Sequence, residues 1–121
     1  MSAARILVVD DESEIRGLLK EILADEGYEV DVAANAAEAR TIRAEHDPDL
    51  VLLDIWMPDA DGITLLREWA QPNGAISCPV VMMSGHGTVE TAVEATRLGA
   101  FDFVEKPLSL AKLLRTVERA L

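Results

Sequence analysis

One cysteine, no long hydrophobic run and half as many basic as acidic side chains limit what this 121-residue chain can be. Cys78 has no second cysteine with which to close a disulfide and no partner ligand beside it, so it reads as a structural thiol rather than a nucleophile. The apolar runs reach only a few residues, against the ~20 needed to cross a bilayer. The start, Met1-Ser2-Ala3-Ala4-Arg5, carries no secretory apolar core. No membrane association and a cytoplasmic location are therefore expected. Lys and Arg total 11 against 22 Asp and Glu, and the resulting formal charge of −11 opposes binding to a nucleic-acid backbone or an anionic lipid surface. Linkers, low-complexity tracts and internal repeats are absent too, which leaves a single domain over residues 1–121. A chain of this length buries roughly two-thirds of its unfolded surface, so it needs neither disulfides nor a structural metal to fold.

What is present is an alternation of apolar patterns punctuated by acids, glycines and prolines. Ile6-Leu7-Val8-Val9 stops at Asp10-Asp11-Glu12, which predicts a buried first strand over 5–9 ending in three acids. Ile15, Leu18, Leu19, Ile22 and Leu23 recur at helical spacing, giving a helix from about Ser13 to Glu26 that Gly27 ends. The stretch from Tyr28 to Ala33 alternates with the period of a half-exposed strand near a sheet edge. Asn35 and Glu38 resemble a capping box for a second helix, with Ala36, Ala39 and Ile42 inward and Asp47-Pro48-Asp49 as its end. Leu50-Val51-Leu52-Leu53 then delivers Asp54, a run suited to a strand buried on both faces of a parallel sheet.

Beyond Pro58, the stretch Asp59-Ala60-Asp61-Gly62 offers carboxylates to the start of a third helix, with Ile63, Leu66, Trp69 and Ala70 on one side and Pro72-Asn73-Gly74 as its close. A strand from Pro79 to Met83 leads into Ser84-Gly85-His86-Gly87-Thr88. Thr88 is expected to cap a fourth helix, with Val89, Ala92 and Val93 inward, that ends at Gly99. Phe101 to Val104 forms a fifth strand before Glu105-Lys106-Pro107. Leu110, Leu113, Leu114, Val117 and Leu121 form the stripe of a fifth helix. Five strands alternating with five helices predict an α/β fold, a doubly wound parallel sheet with right-handed crossovers.

In that architecture the polar interruptions gather at one place. Asp10 and Asp11 follow the first strand, Asp54 the third, Ser84 the fourth and Lys106 the fifth, all at the carboxyl edge where open α/β sheets bind ligands. Each alone is an ordinary cap, turn residue or solvated charge. Together, crowded carboxylates must take up protons or share a cation, and Mg²⁺ is the natural choice, being held by one or two carboxylates alongside phosphate. Asp11 and Asp54 are the expected direct ligands, Asp10 binds directly or through water, and a backbone carbonyl just beyond Asp54 completes the set. Asp54 can then act as the nucleophile that forms an acyl phosphate, with Lys106 as a second cation and Ser84 donating its hydroxyl to phosphoryl oxygen. His86 and His46 are expected to be solvent-exposed.

The motifs Ile6-Leu7-Val8-Val9-Asp10-Asp11, Leu53-Asp54-Ile55-Trp56-Met57-Pro58 with Asp61-Gly62, Ser84-Gly85 and Lys106-Pro107 resemble the receiver domain of bacterial two-component response regulators over nearly the whole chain. The resemblance implies a flavodoxin-like sheet of order 2-1-3-4-5, the topology for which a member of this family is a standing example. It implies that Asp54 accepts phosphate from a histidine kinase, that Asp10, Asp11 and Asp54 with the Trp56 carbonyl hold Mg²⁺ or Mn²⁺, and that Ser84 and Lys106 grip the phosphoryl group. It also implies a cis bond between Lys106 and Pro107. Phe103 stands where the family has an aromatic switch residue, often tyrosine; it either turns inward on activation, by packing alone, or is simply core. The runs 86–93 and 99–107 are similar to the nitrogen-regulation class of enhancer-binding activators. An effector domain or downstream protein would then read a surface of the fourth helix, fifth strand and fifth helix, through which the domain could also pair with a second copy.

Two other chemistries fit the same edge. A Mg²⁺-dependent phosphatase of haloacid-dehalogenase type would use Asp54 as nucleophile, but expects a second Asp where this chain has Trp56. A flavin carrier would need a hydroxyl- and glycine-rich loop where Asp10-Asp11-Glu12 stands.

Overall fold

The computed structural model describes residues 3–70, 78–85 and 89–121, and within them the five apolar runs pair into one parallel sheet. In chain order the elements are β1 (Arg5–Val9), α1 (Ser13–Asp25), β2 (Glu29–Ala33), α2 (Ala36–His46), β3 (Leu50–Asp54), α3 (Gly62–Trp69), β4 (Val80–Ser84), α4 (Val89–Arg97), β5 (Asp102–Glu105) and α5 (Leu110–Ala120). The strand order is β2-β1-β3-β4-β5, as the resemblance implied. β3, with neighbours on both sides, is buried along its whole length, while β2 at the edge is half-exposed.

Strand alternation divides the interior in two. Leu7, Val9, Val51, Leu53, Val80 and Met82 pack with side chains of α2, α3 and α4. Ile6, Val8, Leu50, Leu52, Val81 and Met83 pack with Leu19 and Leu23 of α1 and Leu113 and Val117 of α5. Both faces of the sheet are therefore covered, and continuous apolar strands follow from that requirement.

Several expectations are corrected at this level. Leu18 is exposed on α1, because Leu19 and Leu23 carry the contact with the sheet and Leu18 lies at the margin of the stripe. On α4 the seam runs through Ala92, Ala95 and Leu98, spaced three apart, and Val93, expected inward, is 44% exposed. Ala95 is the residue of that seam buried in the core with α2 and α3. Phe101 lies outside β5 and is exposed, as are Leu110 and Leu121 at the two ends of the last stripe. Thr88 as a cap, His86, and Pro72-Asn73-Gly74 as the close of α3 lie outside the described residues, as does the Val89 side chain.

Capping follows the sequence in most places and departs from it in one. The Asn35 side chain accepts from the Glu38 N–H at 2.8 Å, and Glu38 in return accepts from the Ala34 N–H at 2.7 Å, one residue earlier than a standard box. Asp61 caps α3 by accepting from the Thr64 N–H at 2.7 Å. Asp59 does not serve α3. Its two oxygens accept from the N–H groups of Ala36 and Ala37 at the start of α2, 2.9 and 3.1 Å away, pinning the loop after β3 to a neighbouring helix. Asp61→Ala is expected to lower stability by about 1 kcal/mol, the usual worth of an N-cap, measured as a shift of the urea midpoint at constant slope.

Candidate functional site

Register brings the acids together. Val9 pairs with Leu53 across β1 and β3, so the next residues, Asp10 and Asp54, emerge side by side at the carboxyl edge. By alternation both share the parity of Ile6, Val8, Leu50 and Leu52, the face covered by α1 and α5. Lys106 follows β5 directly, its backbone N–H bonded to the Ser84 carbonyl at 2.9 Å, and the Lys106–Pro107 bond is cis. Its ammonium reaches Asp10 Oδ2 at 2.7 Å, Glu12 Oε1 at 3.6 Å and Asp54 Oδ2 at 3.7 Å.

Asp10 is fully buried and Asp54 nearly so. Burial, followed by the charge of Asp10 and more weakly that of Asp11, pushes the Asp54 carboxyl up to about 7, against the opposing pull of Lys106 and a hydrogen bond from the Trp56 backbone. Lys106 is raised: burial works to lower it, but its close contact with Asp10, then the charges of Asp54 and Glu12, outweigh that. One oxygen of Asp10 accepts from the Glu12 N–H at 2.9 Å. The other, Oδ2, accepts no well-directed hydrogen bond; its contact with Lys106 is an ion pair only.

The carboxylates of Asp10, Asp11 and Glu12 can place one oxygen each within 4.8 Å of one another. Asp54, expected as a direct ligand, is not among this trio, although the charges of Asp10 and Asp11 reach it. The fit to a hard dication is good in kind: oxygen donors only, an excess of negative charge, and a buried carboxylate oxygen with an acceptor site unfilled by hydrogen bonding. Trp56 is exposed beside Asp54, and its N–H holds that carboxylate.

Ser84 is buried at the end of β4. It shares the parity of Val80 and Met82, and thus the α2–α4 face, as does Phe103, which is half-buried against that core. Asp54 and Ser84 thus lie on adjacent strands at the same edge but on opposite parities. Cys78 is buried, and that burial pushes its thiol up, in keeping with a structural role. His46 is exposed on α2, its Nδ1 3.0 Å from Asp31.

One participant escaped the sequence pattern, and a second was legible there only as part of a motif. Arg16 donates to the Asp10 carbonyl at 2.7 Å, fastening the first turn of α1 to the end of β1. Its position, one turn after the acid block, is the only signal it gives. Gly62 donates to the Ile55 carbonyl at 2.6 Å, and a Cβ there would collide with the Asp54 carbonyl oxygen and stand 3.0 Å from Ile55 Cα. The glycine is required by space, because α3 begins against the backbone that carries Asp54.

Comparison with known proteins agrees with this fold. The sequence profile described as the response regulator receiver domain matches residues 6–118. The nitrogen assimilation regulatory protein NtrX of Azorhizobium caulinodans is 46% identical over 118 residues, covering 96% of this chain and 26% of that protein. The crystal structure of the receiver domain of NtrX from Brucella abortus superposes with a TM-score of 0.85 at 49% identity, covering 96% of this chain and 97% of that one. The solution structure of the beryllofluoride-activated NtrC4 receiver domain dimer does so with a TM-score of 0.86 at 39% identity, covering 96% and 94%. The chain spans about a quarter of the length of the curated nitrogen-regulation relatives it matches.

Proposed function

Because the chain belongs to the response regulator receiver domain family, with relatives of the nitrogen-regulation class, we propose that it switches signalling by accepting a phosphoryl group on Asp54. The observation that carries this reading is a buried carboxylate held 3.7 Å from a lysine ammonium, beside a cluster of acids, at the carboxyl edge of the sheet. A carboxylate in that position can attack phosphorus. One oxygen of Asp54 forms the O–P bond as the P–N bond of a kinase phosphohistidine breaks, and the electron pair returns to the imidazole nitrogen.

Asp10, Asp11 and Asp54, with the Trp56 carbonyl, are the residues we assign to Mg²⁺ or Mn²⁺. Such an ion, when bound, supplies positive charge that favours ionised Asp54 and offsets that of the arriving phosphoryl oxygens. Lys106 supplies a second positive charge, and the Ser84 hydroxyl is assigned to a phosphoryl oxygen. Because Ser84 and Phe103 lie on the α2–α4 face, a pull on Ser84 is transmitted to the side of the sheet where α4 packs through Ala95. The outcome is a changed surface of α4, β5 and α5, read by an effector domain or a downstream protein in transcription regulation, or by a second copy of the domain. The cognate donor is a sensor histidine kinase, and the reaction takes place in the cytoplasm. Among the described residues no helix is long and apolar enough to cross a membrane.

The phosphatase reading gains nothing from the comparisons, and Trp56 still occupies the place of its second Asp. Incubation with a small phosphodonor and Mg²⁺ is expected to add one phosphoryl group to the intact mass of the protein. Chelator should prevent the addition; an equal addition without a divalent cation would refute the reading.

A further inference from the structure

Asp59 lies in the loop between β3 and α3, yet both its oxygens serve another helix, accepting from the Ala36 and Ala37 N–H groups that open α2 at 2.9 and 3.1 Å. The free N–H groups of a helix start take a carboxylate readily. α2 already has a local cap, however, since the Asn35 side chain accepts from the Glu38 N–H. What the second carboxylate adds is a tie between two loops. The segment 55–61 is fastened at its ends by backbone bonds, Ile55 N–H to the Met83 carbonyl at 3.1 Å and Gly62 N–H to the Ile55 carbonyl at 2.6 Å. Asp59 fastens its middle. Three residues before Asp59, the Trp56 N–H holds the Asp54 carboxylate. Three residues before Ala36, the Ala33 carbonyl accepts from the Asp10 N–H at 3.1 Å. The contacts close a ring from Asp54 through Trp56, Asp59, Ala36 and Ala33 to Asp10, with the pairing of Val9 and Leu53 as its base.

We propose that Asp59 is a positioning residue: by tying the loop after β3 to the first turn of α2, it holds Trp56 against Asp54 and keeps that loop aligned with the end of β2 that holds Asp10. Its link to function rests on the phosphoacceptor reading of Asp54. Asp59 is no ligand itself, because its carboxylate is taken up by N–H groups, that of Ala36 foremost, which hold its carboxyl below the ordinary range. Bonds of this kind, with one partner ionised, are the stronger ones. Released from α2, the middle of the loop can swing away and take Trp56 with it. The oxygens offered to a divalent cation are then no longer held in one arrangement.

Asp59→Ala and Asn35→Ala each strip a cap from α2, but the first alone unties the loop, so the pair separates positioning from helix stability. Both should lower the urea midpoint. Asp59→Ala is further expected to speed exchange of the Trp56 amide proton in chelator, followed by NMR, and to weaken calorimetric binding of MgCl₂. Each change should be roughly three- to ten-fold, toward the lower end for groups that hold metal ligands in place. Asp59→Asn keeps one carbonyl oxygen for α2 and should fall between wild type and Asp59→Ala in both readouts. Phosphoryl uptake from a small donor, followed by intact mass, should need correspondingly more Mg²⁺ in Asp59→Ala. Unchanged Trp56 exchange and Mg²⁺ binding in Asp59→Ala, or equal changes in Asn35→Ala, would overturn the proposal. If the wild type takes up no phosphoryl group, the phosphoacceptor reading falls on that result, and Trp56 exchange with the Mg²⁺ titration still decides whether Asp59 holds the loop.

Discussion

Asp54→Asn is expected to make the metal-free protein more stable, by about 4 kcal/mol at pH 8, and to leave it nearly unchanged at pH 4. The sign follows from burial. A carboxyl raised from its ordinary 3.8 to about 7 binds its proton more tightly in the folded state than in the unfolded one. Its contribution is therefore most favourable at low pH, declines as pH rises past 3.8, and becomes a full penalty once pH exceeds about 7. Asparagine fills the same space without the charge. For a domain of this size, ~4 kcal/mol corresponds to roughly 15 °C in melting temperature. Melts of both proteins in chelator at pH 4 and pH 8 measure it, and added Mg²⁺ should narrow the gap by relieving the wild-type charge. A variant less stable than wild type at pH 8, or a difference independent of pH, would show that Asp54 is not strained by its burial and its acidic neighbours.

Gly62→Ala has the second large effect, in the other direction. The added methyl group meets the Asp54 carbonyl oxygen at a separation no real Cβ sustains, and Ile55 Cα at 3.0 Å. Both are backbone atoms and cannot rotate away, so α3 or the segment 55–61 must move. A loss of about 3 kcal/mol or more is expected, at the upper end for an overpacked interior, read as a lower urea midpoint. The same displacement shifts Trp56, whose N–H holds the Asp54 carboxylate. Mg²⁺ binding should weaken as well. Near-native stability in this variant would mean that the close approach of α3 to β3 is not needed.

These two residues also show what the sequence made legible. Asp54 stood out only jointly with Asp10, Asp11, Ser84 and Lys106 at matching strand ends, since a lone Asp after a strand is more often a turn cap, and the apolar runs marked all five strands within a residue or two. Strand order did not follow from the runs; the family resemblance supplied it. Gly62 was visible only as part of a motif, since its demand for space depends on how α3 folds back onto β3. Asp59 was assigned to the nearest helix in sequence and instead caps α2, 22 and 23 residues away, a contact no local pattern encodes. Val93 and Leu18 were expected inward because period alone cannot say where the centre of a stripe lies; neighbouring Ala95 and Leu19 carry the burial. Glu12 read as one member of an acid block, and its contact with Lys106 depends on that long side chain reaching across the sheet edge from the end of β5.

The central claim is that the carboxyl edge of the sheet makes Asp54, and not its acidic neighbours, the acceptor of phosphorus. Fragmentation mass spectrometry of the protein after treatment with a small phosphodonor and Mg²⁺ tests it most directly. The account predicts the acyl phosphate on Asp54 alone, and none in Asp54→Asn. A phosphoryl group found on Asp10 or Asp11, or carried undiminished by Asp54→Asn, would contradict it.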